Sequence, residues 1–282
     1  MKIGTTTGRI RLWGDQGFKK AKELGYSCVD IGFENTELPV YFCDESEIKN
    51  FVGKDKRLVQ EAGLEISQIH GPWRFPPQDY TKEDRAERLE KMKRCVQIAA
   101  EIGAKHMVIH PVMPFGLEDR GTEYAVQTWE INRKFMGELL ETAKEYDVII
   151  CLENMPFPNF SMSKPEEILR FVQEMNDEHF KICLDTGHAA IFKDVSIGDA
   201  ARMLGKELRV THIHDNKGVD DLHLIPFCGG ISDWLDFGNA LMEIGYEGAF
   251  SYESDISTNV PVDILEDIMA LQIKLAKRII GE

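Results

Sequence analysis

Eight strand-length runs recur along the chain, and longer polar or amphipathic stretches separate them. The runs are Lys2–Thr5, Cys28–Phe33, Leu64–His70, His106–His110, Val148–Glu153, Phe180–Asp185, Leu208–His214 and Ala249–Glu253. Their length suits buried strands. Several intervening stretches keep helical spacing: Ala86, Leu89, Met92, Val96 and Ala100 in one, and Ala125, Trp129, Phe135, Leu139 and Ala143 in another. Helices are expected at about 15–24, 45–62, 83–102, 123–145, 234–244 and 262–280, with Gly25, Gly63, Gly103 and Gly245 as stops. A further helix should start at Ser163, with Glu166 three residues on as its capping partner. Strands that alternate with helices pair in parallel through right-handed crossovers. Eight such units predict a single (β/α)8 barrel. The 282 residues suit one barrel and contain no linker or low-complexity tract, so residues 1–282 read as one domain.

Such a barrel keeps its chemistry where the strands end. The third to eighth runs end on, or just before, groups able to bind a metal: His70, His110, Glu153, Asp185, His212 with His214, and Glu253. Any one of them alone would more often be a capped or solvated group. Six consecutive strands ending this way point to a shared site. Carboxylates converging in a barrel mouth would repel one another without a cation. Mixed Glu, Asp and His ligation suits one divalent ion such as Mn²⁺, Zn²⁺, Mg²⁺ or Co²⁺. Residues two apart on a strand share a face. Cys151 and Cys183 should therefore fill the interior below Glu153 and Asp185, and of His212 and His214 only one need reach the centre. His106 and His179 are expected outside the site. Trp73, Phe115, Phe157 and Trp234 read chiefly as loop packing.

The formal charge is 33 − 48 = −15, and no basic cluster is present. A nucleic-acid backbone should be repelled, so no nucleic-acid partner is expected. No apolar run is long enough for a membrane span. The six cysteines form no CxxC pair, and the first residues lack the apolar core of a signal peptide. A reducing, cytoplasmic setting is the expectation.

The motifs Leu152-Glu-Asn154, Cys183-Leu-Asp-Thr-Gly-His188, His212-Ile-His-Asp215, Asp221-Leu-His223 and the final Glu253 resemble those of the xylose isomerase-like barrels, over almost the whole chain. The likeness is greatest to the sugar phosphate isomerase/epimerase group. The resemblance implies one divalent metal held by Glu153, Asp185, His212 and Glu253, with the two glutamates also acting as acid and base. It implies substrate contacts from His188, His70 and His110, and Asp221 and His223 come from a loop over the mouth. One departure is Phe227, in Pro226–Gly230, where a glycine is common in the family.

The expected reaction is isomerisation or epimerisation of a small ketose or aldose through a metal-stabilised enediolate. Two other enzymes share the barrel: a dehydratase using the same enolate, and an apurinic endonuclease-like phosphodiesterase with nine ligands for three zinc ions. This chain has a candidate for each: His70, His110, Glu153, Asp185, His188, His212, Asp221, His223 and Glu253. The acidic charge argues against the nuclease. A barrel that only binds ligand is a further alternative, and a homo-oligomer is an expectation from resemblance alone.

Overall fold

The structure is a computed structural model that describes residues 1–257 and 259–282. Eight parallel strands close in sequence order into a barrel. They are β1 (Lys2–Thr6), β2 (Cys28–Gly32), β3 (Glu65–His70), β4 (His106–Ile109), β5 (Ile149–Glu153), β6 (Phe180–Asp185), β7 (Leu208–Ile213) and β8 (Ala249–Tyr252). The expected (β/α)8 barrel is what the chain forms. Four strands stop one residue short of the expected runs, so Phe33, His110, His214 and Glu253 open the loops at the mouth.

The longer helices start and stop where local chemistry directs. The Glu45–Ala62 helix begins with an Asp44/Glu47 capping box and ends at Gly63, whose φ of 70° is the left-handed closure that glycine favours. The Lys82–Ile102 helix begins at Thr81, whose hydroxyl accepts from Asp84 N at 3.0 Å.

Other expectations need correction. The helix expected from Asp15 begins at Gly17, after a short helix at Thr7–Ile10 and a tighter turn at Arg11–Gln16. Gly17 allows this fold-back, because a Cβ there would lie 2.0 Å from the Ile10 carbonyl oxygen. The helix expected to start at Ser163 starts one residue later: Lys164 is the cap and Pro165 takes the first position. Glu167, not Glu166, accepts from Lys164 N at 2.9 Å and Ser163 N at 3.0 Å, while the Ser163 hydroxyl donates to the Phe157 carbonyl at 2.7 Å. Short helices at Thr186–Ala190 and Ile197–Leu204 add to the expected set.

The main apolar core lies between the sheet and the helices. Val108, Cys151, Cys183 and Val210 form a small separate cluster inside the barrel, so the two cysteines are the expected fillers beneath the site. The ladder is irregular in two places. Opposite Val29/Asp30 of β2 the strand β3 carries one extra residue, Ser67, and opposite Ile182/Cys183 of β6 the strand β7 carries one, Arg209.

The long loop after β7 hangs on Asp215. Its Oδ1 accepts from the amides of Asn216 and Ile231 at 2.9 and 3.2 Å and from the Ser232 hydroxyl at 2.8 Å. Its Oδ2 accepts from Trp234 Nε1 at 2.8 Å. Gly230 leaves room for this, since a Cβ there would lie 2.0 Å from Asp215 Cγ. Phe227, half exposed, sits at φ 66°. The residue where the family favours glycine thus adopts the backbone that glycine suits, at a cost of roughly 1–2 kcal/mol for a residue with a Cβ.

Two outcomes follow, each checked by denaturant unfolding. Asp215→Ala should lose about 3 kcal/mol or more, because five donors, the Ser232 amide among them, lose their acceptor. Phe227→Gly should cost no stability, unlike most exchanges of a large apolar residue for glycine.

Candidate metal and active site

Glu153, at the end of β5, is 1% exposed and is surrounded by imidazoles. Its Oε2 lies 2.9 Å from His110 Nε2 and 3.3 Å from His70 Nε2. Its Oε1 lies 2.9 Å from His212 Nδ1. His70 is aimed by its other nitrogen: Nδ1–H donates to the Gly71 carbonyl at 2.9 Å, which leaves Nε2 toward the site. Glu253 Oε2 approaches the same His212 Nδ1 at 3.1 Å, so both glutamates face one nitrogen.

Asp185, the last residue of β6, is fully buried. Its backbone is held by Asn154: Asp185 N donates to Asn154 Oδ1 at 2.8 Å, and Asn154 Nδ2 donates to the Asp185 carbonyl at 3.0 Å. Its Oδ1 caps the next short helix by accepting from His188 N at 2.6 Å, and its Oδ2 faces His214 Nε2 at 2.8 Å. Only glycine fits at 187, because a Cβ would lie 2.0 Å from His214 Cε1. The Asp-Thr-Gly-His turn is therefore shaped by a ring from the neighbouring strand's end. His188 Nδ1 contacts the Asn154 carbonyl at 2.8 Å, and its Nε2 faces Asp221 Oδ2 at 3.2 Å. His223 Nε2 lies 3.0 Å from the same Asp221 oxygen and its ring stacks on His214, centroids 3.9 Å apart.

Every expected site residue is thus brought to the barrel mouth: His70 and His110 gather on Glu153, and the rest fall in two groups. In one, Glu153, Asp185, His212 and Glu253 each offer a ligand atom, all within 4.8 Å of one another. In the other, His188, His214, Asp221 and His223 do the same. Of His212 and His214, only His212 joins the four-residue group, in line with the expectation that one of them need reach the centre. His212 serves Glu153 and Glu253, while His214 serves Asp185. His106 and His179 lie elsewhere, against the Ser67 carbonyl and Asp147.

Without a cation the histidines carry the compensating charge. Burial opposes the charge on His70, but Glu153 and Glu34 lift its pKa to about 9. His110 is pushed down to about 4 by burial, despite Glu153. Neutral His110 then donates Nε2–H to Glu153 at 2.9 Å. Burial also opposes His188 and His223, but Asp185 and Asp221 raise His188 to about 10, and Asp221 raises His223 to about 9. Glu153 and Glu253 resist burial and stay well below the usual carboxylate range, chiefly through His212. A divalent cation fits this donor set: the carboxylates of Glu153, Asp185 and Glu253 converge with a ring nitrogen of His212.

A cavity of about 310 Å³ opens above these groups. Glu34, Trp73, Phe75, Met155 and Phe157 wall it beside the histidines and acids. Trp73 packs edge-on against His110, and Phe75 stacks over Phe157. Two of the aromatics expected as loop packing, Trp73 and Phe157, therefore wall the cavity. Phe115 stacks on Tyr124, and Trp234 is buried on Asp215. Asp30 and Glu34, near the end of β2, join the site from outside the expected set. A strand-end pattern that begins at the third run omits the second, although Asp30 stands there by the same logic.

In the metal-free protein the raised pKa of His188 and His223 predicts a pH dependence. Their contribution to stability should be complete below the ordinary histidine value of about 6.5 and fade as pH rises through about 9 to 10. Thermal melts across that range should show a falling Tm, and Asp221→Asn should flatten the slope.

Comparison with known proteins agrees with this architecture. The family described as xylose isomerase-like TIM barrel matches residues 18–274. An uncharacterized protein of Methanocaldococcus jannaschii is 28% identical over 189 residues, which are 66% of this chain and 63% of that protein. D-psicose 3-epimerase of Ruminiclostridium cellulolyticum is 27% identical over 243 residues, 83% of this chain and 76% of the enzyme. L-ribulose-5-phosphate 3-epimerase UlaE of Shigella flexneri serotype 5b is 23% identical, covering 91% and 88%. Among solved structures, apo 3-keto-D-glucoside 4-epimerase YcjR from E. coli superposes with a TM-score of 0.76 at 20% identity, over 97% and 99% of the chains. The IolI protein with a bound zinc atom gives 0.76 at 18% identity, over 100% and 98%. With the family matching almost the whole chain, and the strand-end acids and histidines gathered at one mouth, the chain belongs to the xylose isomerase-like TIM barrel family.

Proposed function

We propose that this chain is a divalent-metal-dependent sugar epimerase or isomerase acting on a small, unphosphorylated ketose or aldose, with residues 1–282 as one working domain. The observation that carries the reading is the convergence of Glu153, Asp185, His212 and Glu253 beneath a cavity of sugar size. Relatives that are epimerases support the reaction class, one named for a free ketose and one for a ketose phosphate.

In this reading Glu153, Asp185, His212 and Glu253 hold the ion. When bound, it polarises the substrate carbonyl and stabilises charge that develops on the oxygen. The chain's residues do the rest. Glu153 and Glu253 are both held as carboxylates, so either is ready to take the proton from the carbon beside the carbonyl. One glutamate carrying that proton to the adjacent carbon gives isomerisation. Return of a proton to the opposite face by the other glutamate gives epimerisation. His188 and His223, which hold protons, stand ready to bind substrate oxygens. Loss of hydroxide from the same enolate would make a dehydratase.

Charge selects the substrate class. No lysine or arginine lines the cavity among the described residues. Arg9 and Arg11 line the adjoining depression but are engaged by Asp255 at 3.2 Å and Asp55 at 2.8 Å. Glu34 borders both spaces, and burial raises its pKa. A phosphate dianion would meet acids there. The ring faces of Trp73, Phe75 and Phe157 suit the C–H side of a sugar.

The second group, His188, His214, Asp221 and His223, is the observation favouring a different reading: a multi-zinc phosphodiesterase. Elemental analysis of the purified protein separates them. About one divalent ion per chain supports the epimerase, and about three zinc ions with cleavage of abasic-site DNA supports the phosphodiesterase.

Glu153→Gln and Glu253→Gln should each lower turnover by about 10²–10⁴-fold, measured as solvent deuterium uptake into ketoses. Wild-type rates in either variant would remove that glutamate from the chemistry. Free ketoses should outperform their phosphates at least tenfold in kcat/KM.

A further inference from the structure

Asp30 makes none of the contacts expected of a ligand, yet it is one of the most buried acids in the chain, at 2% exposure. It projects into the barrel from β2 and meets a residue of β7, a strand with which β2 does not pair. Its Oδ2 lies 3.1 Å from His212 Nε2 and accepts from Gln68 Nε2 at 2.9 Å. Among the described residues, His212 is the one basic side chain that faces Asp30 closely. Its Oδ1 is buried without a partner.

The two nitrogens of His212 therefore face different things. Nδ1 points to Glu153 and Glu253, and Nε2 points to Asp30. A neutral imidazole carries one proton. For Nδ1 to present a lone pair to a cation, the proton must sit on Nε2 and have an acceptor there. No water-facing alternative exists at 1% exposure. Without Asp30 the proton would favour Nδ1, where two glutamate oxygens could accept it, and the lone pair would be lost to the wrong side.

We propose that Asp30 is the positioning residue that fixes the tautomer and orientation of His212, with Gln68 holding the Asp30 carboxyl in place. The inference rests on the reading of His212 as a metal ligand. It assigns Asp30 no contact with substrate or cation.

The test is divalent-ion binding to the metal-stripped protein, with Mn²⁺ and Zn²⁺ as probes, together with ¹⁵N-histidine NMR of the Zn²⁺-loaded form. Asp30→Ala removes the acceptor from Nε2, so the His212 proton favours Nδ1, the wrong tautomer. It should weaken binding about 10–100-fold. Gln68→Leu should weaken it less, and it decides the matter if Asp30→Ala fails to fold. In the wild type His212 should show a protonated Nε2 and a coordinated Nδ1. Unchanged affinity in the variants, or coordination through Nε2, overturns the proposal and leaves the metal reading standing. A wild-type protein that binds neither ion overturns both.

Discussion

Everything at the barrel mouth depends on how a dry carboxylate is kept charged. Glu153 sits at 1% exposure, where a bare carboxylate would be expelled or protonated. It survives because histidines from β3, β7 and the end of β4 turn nitrogens toward it. Those histidines are in turn set by backbone carbonyls and by other acids. Remove any one and the others face uncompensated charge. The site is therefore a network of mutual obligations more than a set of independent side chains.

The network explains why the strands must end where they do. Asn154 ties β5 to the Asp185 backbone. The Thr186 hydroxyl lies between the His212 and His214 carbonyls, at 3.1 and 2.7 Å, tying β6 to β7. These ties fix the backbones from which the carboxyl and imidazole groups project. With the backbones fixed, four donors can share one point. The same ties make Gly187 necessary, since the His214 ring occupies the space of its missing side chain.

Much of this is legible in the sequence because the barrel repeats one rule eight times. A strand-length run followed by a metal-binding group marks a strand end, and the rule brings His70, His110, Glu153, Asp185 and Glu253 to the mouth. It fails where local rules compete. Ser163 looks like a cap, but its hydroxyl goes to Phe157, so the helix begins one residue later. Alternation puts His214 on the face of His212 and leaves open which of them reaches the centre; the strand ends between them, and His212 meets Glu153 while His214 meets Asp185. Asp30 is hidden because its run ends in Ile-Gly-Phe, which masks an acid that reaches across the barrel. Aromatic walls such as Phe75 leave no trace, since a loop aromatic looks the same whether it packs or lines a cavity.

The two breaks in the ladder have a consequence of their own. In a regular strand, inward and outward positions are locked in phase from bottom to top, so a slip at one end inverts the other. The extra residues, Ser67 on β3 and Arg209 on β7, interrupt that lockstep below two of the site's histidines, His70 and His212. Each of these two strands is divided into a lower and an upper part with separate phasing. The lower part answers to the packing of the barrel floor, and the upper part answers to Glu153. Sequence drift in the floor can then be absorbed at the break, with the histidines above it still facing inward.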